Sequence, residues 1–536
     1  MRILNRIIRL LSSVVLTTAA SLGISQGSAT AQTAPHTVSG QVVNSVSGEP
    51  IARARVQVGN QQAALTDHDG RFAFDDVRED PAYAFASKPG YFAEDRALLA
   101  QGHSITVRLV PEAVVFGTIT DQNGQPVQDL RVELSMLGVR NGLRRWRPMQ
   151  STITSVEGKF RFAELQAGQY SLATSCRIDA LPGAASSVAF VPVTFPPAAG
   201  DGIRGSLTLA PGDHVEANAS AAMEKLYLVS GMIHGMAGRV GGLSVTTEDG
   251  EPIDAPAAVN ASGAFRVTLP GGAYRLTAHS AVEREQQLAG TREITVGEAP
   301  LEGMSITLAP PAALPIDVEY QAVSTGAQNV LYGPQNYLNA SLEDDDPRGP
   351  ARTVPAQPRT LPGRPQAFEP GDPMVFRDIE PGRYVLQTSP QPPWYVASAT
   401  CGNLDLTRDP LVIATGAATA CTVRIVYRND SASLQWSAPP AEAGDGGGLV
   451  FVTAIPLDNF AQPPAEGRFM QHLSPAEGSF EGLAPGRYLV LALTRQQTLA
   501  YRDNEALQRY LTHGQQVTLR RGGKSEVQLK IVAGEP

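Results

Sequence analysis

The chain lacks long apolar runs, basic clusters and familiar catalytic motifs, and each absence removes a class of function. Beyond the first 31 residues no stretch is long and apolar enough to cross a bilayer as a helix, which takes about 20 residues. Regular transmembrane hairpins are missing too, so a membrane barrel is not expected, although a role beside one stays open. Acids outnumber bases, 52 to 43, for a net charge of -9, which argues against nucleic acid as a partner. The one basic cluster, Arg140, Arg144, Arg145 and Arg147 around Trp146, reads as a solvated hairpin tip. None of the eight histidines has the spacing of a zinc-protease helix, and no G-x-S-x-G elbow occurs. The chain is therefore expected to be no enzyme and to need no cofactor. Lysine is confined to positions 88, 159, 225, 524 and 530. Lys225 has no Asn in the strands expected at 291–309, so a Lys–Asn cross-link is not expected there. Three cysteines allow at most one internal disulfide. Cys401 and Cys421, 20 residues apart beside two strand-like runs, are the expected pair, with free core thiols as the alternative. Cys176 is left single, buried in a strand.

What is present begins with Arg2, Arg6 and Arg9, an apolar segment from Leu10 to Leu22, and Ser28-Ala29-Thr30-Ala31. That order is the layout of a cleavable signal peptide over residues 1–31. It places the mature chain in the periplasm, on the outer surface or outside the cell, with no transmembrane segment left after cleavage. Oxidising conditions there permit the disulfide.

Glycine (51) and proline (41) fall between short alternating runs, a pattern of many turns in an all-β fold. Aromatics make up only 6% of the chain, yet they recur at matching places. Gly158-Lys-Phe160-Arg-Phe162 leads to Gly168-Gln-Tyr170, and Gly263-Ala-Phe265 leads to Gly272-Ala-Tyr274. Val375-Phe376 leads to Pro381-Gly382-Arg-Tyr384, and Gly478-Ser-Phe480 to Pro485-Gly486-Arg-Tyr488. A looser copy runs from Gly70-Arg-Phe72-Ala-Phe74 to Tyr83. Each block predicts a strand with one buried face, a glycine turn, and a returning strand whose Tyr packs inward and bonds nearby backbone. The first three copies also open alike: Val38-Ser-Gly40-Gln-Val42, Val115-Phe-Gly117-Thr-Ile119 and Val229-Ser-Gly231-Met-Ile233.

From Val38 to Phe74, and again in the second copy, the sequence resembles the carboxypeptidase regulatory-like domain, a prealbumin-type or carbohydrate-binding-like β-sandwich. The resemblance implies about seven antiparallel strands per repeat in a Greek key, and no cutting activity. The five repeat blocks predict a string of about five such sandwiches after the signal, with boundaries placed at 37–110, 112–210, 225–309, 313–428 and 431–534. Pro-containing joints near Pro111, Pro211 and Pro310-Pro311 would make the string semi-rigid. Residues 342–373 read as an exposed loop. Asp503 is expected to cap one helix from Asn504 to Leu511.

Such a chain is expected to be a non-catalytic binding, adhesion or spacer protein of the cell envelope. Alternatives are a carbohydrate-binding protein and an accessory to an outer-membrane or enzyme partner. Polysaccharide or another envelope protein is the expected partner. Trp146, Trp394 and Tyr395 are the candidate ligand-facing aromatics, with core packing as the alternative. Asp67-His68-Asp69-Gly70 and Asp121-Gln122-Asn123-Gly124 resemble the start of a calcium loop, but Arg78 and Val132 stand where its closing Glu belongs. They read as turns, and no metal site is expected. The acidic run Glu343-Asp344-Asp345-Asp346 reads as a solvated loop, with a cation as the alternative.

Overall fold

The computed structural model describes residues 36–532 apart from 59–61, 78–81, 94–96, 100–103, 180–187, 198–204, 236–239, 249, 251, 282–287, 324–338, 346–351, 359–372, 415–420, 440–448 and 471–475. The signal-peptide reading of residues 1–31 lies outside the described residues. Two compact units, divided at Val110 and Pro111, are taken separately.

The first unit is a sandwich of two four-stranded sheets. One orders Arg71–Val77, His36–Asn44, Ile105–Pro111 and Tyr91–Ala93; the other orders Gln62–Leu65, Arg55–Val58, Ala82–Ser87 and Ala97–Leu99. Alternation decides which side chains meet: Val38, Val42, Val56, Phe72, Phe74, Val107 and Leu109 fill the space between the sheets. His36–Asn44 is antiparallel to Arg71–Val77 and parallel to Ile105–Pro111. The opening glycine has its reason there. A Cβ on Gly40 would stand 2.5 Å from the Ile105 carbonyl oxygen and 2.6 Å from the Phe72 ring.

The turn before each Phe strand is one device used three times. A side-chain oxygen of Asp67, Ser155 or Asn260 accepts the amides two and four residues on, and the glycine three residues on takes φ of +71°, +70° or +90°. A second device joins the first two copies. Buried Thr66 donates to the Ile51 carbonyl and accepts the Ala54 amide; Thr154 does the same with Val127 and Leu130. Each Thr closes an arch whose third residue, Arg53 or Asp129, has a positive φ.

The second unit continues the plan. Leu143–Ile153, Arg131–Arg140, Gly168–Thr174 and Thr194–Phe195 form one sheet, facing Lys159–Leu165, Ala113–Thr120 and His214–Glu216. Next, Ala258–Val259, Ala264–Leu269, Tyr227–His234 and Leu301–Thr307 face Pro252–Ile253, Val240–Thr247, Gly272–Ala281 and Leu288–Val296. In the following stretch Thr353–Pro358 pairs with both Met374–Ile379 and Ala340–Asp344, so both layers join into one nine-stranded sheet. The last sandwich sets Ala476–Leu483, Ala432–Ala438 and Lys524–Gln528 against a sheet centred on Leu449–Pro456 and Gly486–Leu493.

The repeat tyrosines occupy these cores: Tyr170, Tyr274, Tyr384 and Tyr488 are at most 5% exposed. Tyr170 donates to the Gln166 carbonyl at 2.8 Å and Tyr384 to that of Glu380 at 2.9 Å, both four residues back. Tyr488 is hydrogen-bonded to the backbone of Ala484, again four back, and Tyr274 donates to the Gly271 carbonyl at 3.4 Å. Burial of the rings pushes all four hydroxyls up, Tyr384 to about 12. Just before three of these corners the chain bulges at Glu164, Asp378 and Gly482, each with positive φ.

Sequence boundaries and strand pairing differ at two places. His214–Glu216 and Ala219–Ser220, past the expected boundary at 210, run parallel to Ala113–Thr120 and complete the second sandwich. Part of the expected loop at 342–373 is strand: Leu342 and Glu343 are buried within Ala340–Asp344, because that segment pairs on both edges. Residues 359–372 of that loop lie outside the described residues.

The helix forms at Asn504–His513. Asp503 accepts the amides of Glu505 and Ala506, and Ala506 and Tyr510 are buried.

Candidate functional site

Two surfaces of the second unit hold chemistry that packing alone does not use. The first is a junction. Arg131–Arg140 and Leu143–Ile153 form a long antiparallel hairpin, turning at Asn141-Gly142 with φ of +51° and +78°. Its tip reaches residues more than 200 positions away. Arg140 lies 3.6 Å from the Glu343 carboxylate and donates to the Thr353 hydroxyl. Arg144 lies 3.8 Å from Asp503, and the Arg502 amide donates to the Gly142 carbonyl. Val139 packs on a buried cluster that includes Leu489, Leu491, Tyr501 and Tyr510. Arg502 is held over the Phe460 ring and donates to the Phe460 carbonyl; burial pushes its guanidinium below the ordinary arginine value.

The same region ties the fourth stretch to the fifth. The Thr388 amide and hydroxyl donate to the Ala461 carbonyl, and Asn459 donates to that of Val396. Asp458 bridges Arg408 and Arg487, and its bonds from Arg487 hold its carboxyl below the usual range. Within the second unit the sandwiches thus touch away from their sequence joints.

The basic tip expected in solvent keeps Arg140, Arg144 and Arg147 exposed while it makes these contacts; Arg145 alone is buried, 7% exposed. The acidic run supplies one of its partners. Glu343 faces Arg140 and Asp345 pairs with Arg383, which corrects the solvated-loop reading of both; Asp346 lies outside the described residues.

The second surface is the outer face of the sheet Lys159–Leu165, Ala113–Thr120, His214–Glu216. Register makes it a grid. Phe116 stands between Arg161 and Glu216, Thr118 is opposite Lys159, and Val114 is opposite His214. Asn218 comes alongside by accepting the Thr118 amide. Phe116 and Ile153 are exposed, and these residues border an open groove of about 770 Å³. Among the described residues neither Lys159 nor Arg161 is paired with an acid, whereas Glu216 accepts from Asn218.

The aromatics singled out in the sequence lie elsewhere. Tyr395 is 3% exposed, with its hydroxyl on Asp430 at 2.8 Å. Val396 beside it enters the core, and Tyr395 is covered on the other face, so the ligand-facing reading fails for it. Trp394 is half-buried edge-on against Tyr320, and Trp146 is half-buried opposite Leu137. Phe116 does not stand out in the sequence because it sits inside the repeat pattern. The signal was there: the first and third copies carry Ser39 and Ser230 at that position.

Cys401 and Cys421 form a disulfide with Cα atoms 5.5 Å apart. Cys176 is free and buried; burial pushes its thiol up to about 11. Asp67, His68 and Asp69 converge, but Asp67 already accepts two turn amides and Asp69 lies 3.4 Å from Arg71. Asp121 likewise accepts the Asn123 and Gln125 amides, which lowers its carboxyl. Both are turns.

Residues 37–110 match the carboxypeptidase regulatory-like domain. The family match covers the first unit's sandwich. No curated protein matches the chain. Among solved structures, the minor pilin of Streptococcus agalactiae is 14% identical, with 35% of this chain and 95% of the pilin covered, at a TM-score of 0.19. A streptococcal ancillary pilin is 11% identical over 51% of this chain and 99% of its own, at 0.19. A putative adhesin of Bacteroides ovatus is 11% identical over 38% and 94%, at 0.16. No helix among the described residues is long and apolar enough to cross a membrane.

Proposed function

We propose that the protein is a non-catalytic, exported scaffold of the cell envelope whose sandwiches present binding surfaces at set positions. The observation that carries this reading is the docked hairpin. Arg140, Gly142 and Arg144 meet Glu343, Tyr501 and Asp503 across three sandwiches, which serves to hold faces in register. Side chains buried in the cores are occupied by packing and by the tyrosine corners, so the chemistry left over lies on sheet faces and loops. The repeat boundaries belong to the same proposal, with the second repeat extended to residue 220 to keep its parallel strands.

The test pairs fractionation with a search for turnover. The mature chain should be recovered from periplasm, outer surface or medium. It should leave peptide, ester and glycoside substrates intact. Sustained turnover that survives repurification would overturn the reading, as would retention in the cytoplasm.

A further inference from the structure

We infer that the outer face around Phe116 is a binding site for an anionic saccharide, such as a chain of uronic acids. This deepens the scaffold reading by naming a ligand class for one of its faces. Three observations converge. Phe116 is exposed at the centre of a sheet face, where its two counterparts, Ser39 and Ser230, are small and polar. An exposed ring on a sheet face offers an apolar platform on which a pyranose stacks. Along one side run Lys159 and Arg161, unpaired among the described residues. Along the other run His214, Glu216 and Asn218, a mixed set of donors and acceptors suited to sugar hydroxyls. Neighbouring strands are about 4.8 Å apart, so cation, ring and acceptor columns are spaced by about one sugar width. The groove is open rather than enclosed, which suits a polymer better than a small molecule.

The charges choose among saccharides. Two free cations beside the ring would go unanswered by a neutral glycan, and a carboxylate on the stacked sugar meets them directly. An acidic peptide would also satisfy Lys159 and Arg161, yet it makes little use of a bare ring flanked by hydroxyl partners. The face therefore favours the sugar.

The test measures binding of oligogalacturonate, dextran and poly-glutamate to the full mature chain by calorimetry. Oligogalacturonate should bind, and rising salt should weaken it. Phe116→Ser, which installs the residue of the other copies, should lower affinity at least tenfold with thermal unfolding unchanged. Arg161→Gln should lower affinity and flatten the salt dependence. No binding of oligogalacturonate, equal binding of dextran or poly-glutamate, or full affinity in Phe116→Ser would each overturn the inference. Loss of binding without any turnover leaves the scaffold reading standing, so the two fail separately.

Discussion

Gly142 faces the ring of Tyr501 so closely that a Cβ on it would come within 2.6 Å of the ring carbons. With its φ of +78°, this contact sets how the hairpin tip seats against the last sandwich.

Gly142→Val should therefore unseat the tip. Small-angle scattering should show a larger radius of gyration, and the cost of overpacking should be about 1–3 kcal/mol. Gly138→Ala on the same hairpin is the control, because nothing lies within 4 Å of its added Cβ. An unchanged radius in Gly142→Val would show that the tip does not hold the sandwiches.

The tyrosine corners can be weighed by deletion. Tyr384→Phe removes the hydroxyl with its bonds to the Glu380 carbonyl and to Arg352, and should cost about 1 kcal/mol. Tyr384→Ala also empties a core position and should cost about 3–5 kcal/mol. Scanning calorimetry of the full chain should place both losses in the same transition. Equal losses would mean that the ring contributes nothing beyond its hydroxyl.

Reduction should weaken the fourth stretch selectively. A bridge across a 20-residue separation contributes about 3 kcal/mol in the chain-entropy account. One thiol should titrate in the unfolded, unreduced protein, and three after reduction. Cys176 should resist alkylation in the native state. Its folded pKa is raised to about 11 from an ordinary 9, so its contribution is complete below pH 9 and is lost as pH rises through 11.

Asp430 gives the opposite sign. Two bonds from Arg428 and one from Tyr395 lower its pKa to about 2. Its contribution is complete above the ordinary aspartate value and is lost as pH falls through 2. In acid titrations followed by near-ultraviolet circular dichroism, Asp430→Asn should be less stable than the parent at pH 5. The two should converge below pH 2. A gap that persists there would assign the loss to packing.

The strand content and the corners could be read in the sequence because their cause is local. Phe160 and Phe162 alternate with charged residues, and Tyr170 follows a glycine turn at fixed spacing, so period and turn chemistry suffice. The helix was legible for the same reason, through Asp503. The docking of Arg140 and Arg144 was not, since an arginine-rich tip reads the same whether it faces water or acids more than 200 residues away. Tyr395 misled because aromatic identity carries no information about whether the rest of the chain covers a side chain. The grid around Phe116 needed the parallel pairing of His214–Glu216, a long-range register that no single segment encodes.

The stretch from Cys176 to Lys225 has a practical meaning for anyone dividing the protein. Arg177–Asp179, Val188–Phe190 and Met223–Lys225 form one small sheet, and Cys176 and Ala189 are buried with Tyr274 of the next sandwich. A fragment stopped at 210 forfeits two strands from its own edge, and one begun at 225 leaves its own interior, which Cys176 and Ala189 cover, open to water. The two repeats are best expressed as a pair, and a protease that nicks between them would yield halves still gripping each other.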